Sequence, residues 1–255
     1  MKLLNLSKEN IELLDNVFGE DIRFDFSVNS IIDSRMGNVY VDDALFPTVF
    51  MLTNGIFRVF AGDCDSSAVS KFIETMPNNS IVLPSHKGWF NKISETKNIS
   101  TELFHRYSMS HNNVEIENLK IISAPEGYNL KRIDLIDAEL LSQSPDFKYH
   151  LQNFKNAEDF VNRGLGYIAK YRDVVIGAAT SALVCEKGIE INIMVLPIHR
   201  KNSVALSLGA NLVIDVLSQE LIPNWDAGNL ASKLLAQKLG YEFDKRYEAI
   251  RVITL

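Results

Sequence analysis

The chain has 255 residues, 46% of them apolar and 23% charged, the ordinary balance of a globular protein able to bury one large core or two smaller ones. Its formal charge of −6 argues against a general nucleic-acid binder, which needs a basic surface. No apolar run reaches the roughly 18 residues of a membrane span, and the two cysteines, Cys64 and Cys185, form no CxxC pair or disulfide framework, which suits a reducing cytoplasm.

The chain opens on MKLLNLSKENIELLDNVFG, which reads as an amphipathic helix capped near Ser7 and not as a signal peptide. Four strand-like runs follow, IRFDFSV, GNVYVDD, TVFMLTN and FRVFAGD. Helices are expected around residues 65–76 and 87–97, with the strand SIVLP between them, and STELFHRYSM and VEIENLKII alternate as strands. Pro125 and Gly127 in SAPEGYNL punctuate the chain and suggest a boundary there. The expected organisation is a strand-rich domain over 1–124 and a second α/β domain over 125–255.

In the second half, YNLKRI reads as a strand, DLIDAELL and NAEDFVNR as helices, and GLGYIAKY and VVIGAATSAL as a hairpin turned at Arg172-Asp173. The strand GIEINIMVLP then leads into a long helix from Ser203, the short strand IPNWDA, a helix from Asn229 stopped by Gly240, and closing strands. The first half echoes this strand-helix-strand-helix-strand order from Phe57 onward, which suggests a degenerate duplicate. The five histidines are scattered, His105 and His111 lie six apart, and no metal site is expected.

The stretch VLPIHRKNSVALSLGANLV, Val195 to Val213, carries the chemistry. A strand ends, a basic turn follows, and a long apolar helix begins. A helix N-terminus presents unpaired N–H groups and partial positive charge, and so receives phosphates. Arg200 and Lys201 add formal charge there. The turn holds no glycine, although glycine is what usually lets backbone approach a phosphate with φ > 0. Asn202 is the residue expected to supply a left-handed turn, and Ser203 is expected to cap the helix or to offer its hydroxyl to a phosphate.

The strand EINIMVLP, the turn RKNSVA, the helix behind it and NWDAGNLASKLLAQKLGYEF together resemble the GNAT superfamily of acyl-CoA-dependent N-acetyltransferases. PNWDAGNLAS, with GNVYVDD and FRVFAGD upstream, is similar to the zwittermicin-resistance-like branch. The resemblance implies an α/β (α+β) fold, with a mixed twisted sheet flanked by helices in the C-terminal half and acetyl-CoA as cosubstrate. It puts the pantetheine arm along the main chain of Ile193, Met194 and Val195. The phosphates fall to Arg200, Lys201, Asn202, Ser203, Val204 and Ala205, and Asn229 is expected to cap its helix or touch the arm.

A primary amine must lose a proton before it attacks, because its pKa is near 10. Glu190 is the candidate base, at a strand position where many GNAT enzymes carry a glutamate. Where the superfamily often has a tyrosine acid, this chain has Ala236; Tyr241 and Tyr247 are close in sequence, and Ser232 is a candidate catalytic hydroxyl. Asp226 is expected to face the acceptor, Trp225 and Cys185 the core. Tyr149, His150 and Phe154 read as a surface loop or an acceptor wall. The implied reaction is acetyl transfer to a small-molecule amine by direct attack in a ternary complex. The alternative is a module that binds CoA or another ligand without catalysis. The N-terminal half is expected to shape the acceptor pocket or a homodimer surface.

Overall fold

The computed structural model describes residues 1–19, 24–34 and 36–254. They form an α+β chain that divides into two compact units, Met1–Arg106 with Arg246–Leu255, and Tyr107–Lys245.

In the first unit the order is β1 (Lys2–Leu3), α1 (Lys8–Phe18), α2 (Asp25–Ser34), β2 (Asn38–Val41), β3 (Val49–Asn54), β4 (Phe57–Gly62), α3 (Val69–Glu74), β5 (Ile81–Pro84), α4 (Lys87–Ser94) and the first part of β6 (Ile99–Ser110). Strand alternation builds two cores. Val39, Val41, Phe50, Leu52 and Val59 point to one face and meet Leu14, Phe18 and Ile31 of α1 and α2. Val49, Met51, Phe60 and Val82 point to the other and meet Phe72, Ile73, Trp89 and Ile93 of α3 and α4. Ser7 caps α1, its Oγ accepting from Asn10 N–H at 3.3 Å, as expected.

The second unit contains the rest of β6, α5 (Ile116–Lys120), β7 (Tyr128–Arg132), α6 (Leu135–Gln143), α7 (Ala157–Arg163), β8 (Gly166–Tyr171), β9 (Val174–Cys185), β10 (Gly188–Val195), α8 (Val204–Leu217), β11 (Ile222–Ala227), α9 (Leu230–Lys238) and the start of β12 (Glu242–Thr254). Its strand order is β6-β11-β10-β9-β8-β7. β10 and β11 run parallel, while β11–β6, β10–β9, β9–β8 and β8–β7 are antiparallel. α8 covers one face with Val204, Leu208, Leu212 and Val216, all buried. Arg172 and Asp173 both take positive φ, 48° and 65°, which makes the β8–β9 hairpin the two-residue turn expected.

Three expectations change. Of IRFDFSV, the residues from Asp25 onward open α2 instead of a strand: Val28 and Ile31, with Phe24 just before the helix, are buried at helical spacing, and Asn29 Nδ2 bonds the Asp25 carbonyl and carboxylate; Ile22 and Arg23 lie outside the described residues. VEIENLKII holds α5, with Glu117 and Lys120 paired one turn apart at 2.7 Å. The unit boundary falls at 106/107 and not at 124/125, because α5 packs on α8 and Ser207 Oγ donates to the Ser123 carbonyl at 2.7 Å. The last strand returns to the first unit, where Ile250 pairs with Val82.

The sequence echo has a counterpart in topology. β4-α3-β5-α4-β6 repeats the order β10-α8-β11-α9-β12, and each set contains one parallel pair. β4 and β5 stay in register from Phe57↔Ile81 to Phe60↔Pro84, the whole length of β5. The turn behind β4 is acidic, Asp63 Oδ1 accepting from Asp65 N–H at 2.9 Å. That parallel pair therefore leaves no gap along β5, and the turn behind β4 carries Asp63 and Asp65 where the turn behind β10 carries Arg200 and Lys201.

Candidate active site

β10 and β11 are in register only from Gly188↔Ile222 to Glu190↔Asn224. Beyond Glu190, β10 keeps pairing with β9 as far as Val195↔Gly177 but parts from β11. Leu196 N–H donates to the Ile176 carbonyl at 2.9 Å. Antiparallel alternation then turns the backbone groups of Ile193 and Val195 away from β9, into the gap. The same alternation commits the main chain of Met194 to Ala178, so Met194 offers the gap its side chain rather than the backbone groups expected of it.

A groove of about 710 Å³ occupies this opening. One wall is Ile193, Met194 and Val195. A second is the turn and the first turn of α8, with His199, Arg200, Lys201, Ser203, Val204 and Ala205. The third is α9, with Asn229, Ala231, Ser232, Leu234, Leu235 and Lys238. Among the described residues three lysine and arginine side chains line it and no carboxylate does, in a chain whose net charge is −6.

The glycine-free turn keeps a glycine-like shape. Lys201 has φ 66° and Ser203 φ 60°, two left-handed residues of the kind glycine adopts without strain. Asn202, expected to take that conformation, does not. Its amide donates to Tyr128 Oη at 3.2 Å and to the His199 carbonyl at 3.5 Å, and it lies behind the turn instead of lining the groove. Tyr128 Oη also meets His199 Nδ1 at 3.1 Å, so β7 braces the turn from outside. Arg200 Nε donates to the Val195 carbonyl at 3.0 Å and ties the turn to the end of β10. Ser203 stands at the N-cap, but its side chain makes no capping bond. The first-turn N–H groups of α8 therefore have no side-chain acceptor and open onto the groove, the arrangement an anion completes.

A left-handed L-residue costs about 1–2 kcal/mol, and glycine gives back about 0.5–1 kcal/mol through the freer unfolded chain. Ser203→Gly, which removes no capping bond, is expected to raise unfolding stability by about 0.5–1 kcal/mol. A urea midpoint that stays or falls would place the strain elsewhere. Asn202→Gly should give no gain.

Glu190 sits where the two strands part, half-buried. Asn224 Nδ2 donates to its Oε2, and Asp226 N–H donates to Oε1 at 3.2 Å. Asn229 caps α9, its Oδ1 accepting from Ser232 N–H at 2.9 Å, and also borders the groove. Buried Trp225 gives its indole N–H to Ser232 Oγ at 3.0 Å. With that lone pair engaged, the Ser232 hydroxyl proton is left to donate toward the groove.

The tyrosines near Ala236 do not replace an acid. Tyr241 is buried and donates to the Pro223 carbonyl at 2.7 Å. Burial, and then the Glu190 charge, push its phenol well above the usual range. Tyr247 packs into the first unit's core. Cys185 is buried, as expected. His150 is buried as well, its Nδ1 meeting Thr180 Oγ1 at 2.8 Å, and Phe154 stacks edge-on with Phe160; of these three side chains Tyr149 is the exposed one. Reading the sequence missed Asn224, whose role needs the β10–β11 register, and Lys238, which reaches the groove through helical spacing from Ala231 and Leu234. Among the described residues no cluster of three His, Cys, Asp or Glu side chains could hold a metal, and no helix is long and apolar enough to cross a membrane.

Comparison with known proteins fits this geometry. The chain is similar to a GCN5-related N-acetyltransferase-like protein from Streptococcus suis, at 27% identity and a TM-score of 0.85 over 96% of this chain and 98% of that one. A GCN5-related N-acetyltransferase from Kribbella flavida shares the fold at 11% identity and a TM-score of 0.60, over 91% of this chain and 95% of its own. A Drosophila protein does so at 15% and 0.63, over 99% and 98%. No curated protein matches the sequence. The family model described as GNAT acetyltransferase matches residues 22–250, and the chain belongs to that family.

Proposed function

We propose that the protein transfers an acetyl group from acetyl-CoA to a primary amine of a small molecule, by direct attack in a ternary complex. The observation that carries this reading is the acid-free groove in the opening between β10 and β11, closed at one end by the left-handed pair Lys201 and Ser203 and the uncapped N-terminus of α8. The residues present fit the cosubstrate. The N–H groups of the first turn of α8, with Lys201 and Arg200, would hold its pyrophosphate. The free edge of β10 at Ile193, with the Val195 N–H, would pair its pantetheine amides, while the Val195 carbonyl is held by Arg200 Nε. When bound, acetyl-CoA supplies the acyl thioester.

Glu190, fixed by Asn224 and the Asp226 amide, takes the amine proton directly or through a water. Ser232 donates its hydroxyl toward the departing sulfur, a role open to it because Trp225 occupies its acceptor side. Among the described residues, neither Ser203 nor Ser232 in the groove shows a hydrogen bond to a basic side chain, which supports direct attack over a covalent route. PNWDAGNLAS supports the zwittermicin-resistance-like branch: it supplies Asn224 and Asp226 to Glu190 and Asn229 to α9.

One observation favours a second reading, a module that binds CoA without turnover: Ala236 is fully buried and offers no acid. Calorimetric titration with acetyl-CoA, followed by an amine screen, separates the two. Micromolar binding with turnover is expected. Binding without turnover on any amine would favour the module, and no binding by wild type or Ser203→Gly would sink the cofactor assignment.

A further inference from the structure

The pyrophosphate chemistry assigned above uses the turn and the N-terminus of α8. It leaves one cation in the groove without a task. Lys238, in the last turn of α9, lines the same groove as Lys201. It is exposed, and among the described residues no ion pair includes it. Ala231, Leu234, Leu235 and Lys238 form one stripe of α9 at i, i+3, i+4 and i+7, so the stripe spans about 10 Å along the helix axis. Leu234 is half exposed in that stripe, which leaves an apolar surface between Ser232 and the lysine. A ligand that fills the groove therefore meets, along α9, a hydroxyl, an apolar strip and then a positive charge. A nucleoside bearing its own phosphate matches the second and third of these.

We propose that Lys238 selects the cosubstrate by its ribose 3′-phosphate, with Leu234 and Leu235 under the adenine, so that the groove distinguishes coenzyme A from its 3′-dephospho form. This rests on the cofactor reading above and goes further, because pyrophosphate and pantetheine are common to both ligands. Lys238 is solvent-exposed, so its contribution is that of a screened surface pair. Roughly fivefold is the upper end for such a contact, and it shrinks as salt rises.

The test is a calorimetric comparison of coenzyme A with dephospho-coenzyme A, on wild type, Lys238→Met and Lys201→Met at low salt. Wild type is expected to bind coenzyme A about two- to fivefold more tightly than dephospho-coenzyme A. Lys238→Met should lose that preference and bind dephospho-coenzyme A as wild type does, which also certifies that the variant is folded. Lys201→Met should weaken both ligands alike. Equal affinities in wild type would overturn the selection by Lys238, as would an equal loss for both ligands in Lys238→Met. Failure of both ligands to bind wild type would instead overturn the cofactor reading, and this inference with it.

Discussion

Glu190→Gln is expected to lower kcat for amine acetylation by about 100-fold or more at pH 7, while the affinity for acetyl-CoA stays within about twofold. A primary amine with a pKa near 10 is about 0.1% neutral at pH 7, so a positioned base is needed at the moment of attack. Glu190 is the carboxylate at the point where β10 and β11 part, and it is absent from the groove lining. The substitution removes the proton acceptor and leaves the cosubstrate walls intact. It is also nearly isosteric. The Asp226 amide can still donate to a glutamine oxygen, and Asn224 can turn its own amide to present Oδ1 to the new NH₂ group. Loss of activity would then report chemistry and not collapse of the strand ends.

The pH profile supplies an internal check. As pH approaches the pKa of the amine, the substrate deprotonates unaided, and the ratio of wild-type to variant rate should fall toward unity. A deficit that stays constant to pH 10 would mean that Glu190 positions the acceptor without taking its proton. Unchanged turnover would remove it from the mechanism.

Much of the second unit was legible in the sequence because its elements are long and strongly patterned. The strands from Gly166 to Val195 and the helix α8 fall where alternation and helical spacing put them. Glu190, Ser232, Asn229 and the turn residues other than Asn202 do converge on one opening. The misread segments were short. Over seven to nine residues, a helix with one buried stripe and a strand with one buried face can show the same apolar positions, as in IRFDFSV and VEIENLKII. The left-handed residues were assigned by side-chain preference, which favours asparagine. Position within the turn overrode that preference, and Lys201 and Ser203 took the strain while Asn202 bonded to Tyr128. The Asn224–Glu190 contact depends on a register between strands separated by the whole of α8, which no local pattern encodes.

Between pH 7 and pH 5 the protein is expected to lose about 2 kcal/mol more of its unfolding free energy than a His150→Asn variant does. His150 is 3% exposed, and burial lowers its imidazole from an ordinary value of 6.5 to about 4. In the unfolded chain the ring takes up a proton near 6.5, and in the folded protein only near 4. Between those values the unfolded state binds more protons, so stability falls as pH drops through that window and is flat in this group above it. Each pH unit inside the window is about 1.4 kcal/mol, and the step from 6.5 to 5 therefore removes about 2 kcal/mol. Asparagine can keep the bond to Thr180 Oγ1 with a group that does not titrate. It leaves a cavity where the ring was, so the variant is less stable at every pH. The comparison is between slopes, in which that constant loss and the titration of the surface carboxylates both cancel. Urea denaturation at pH 7 and pH 5 measures it. Equal losses in the two proteins would mean that His150 is protonated in the folded state near its ordinary pKa, and that the core beside Thr180 admits water.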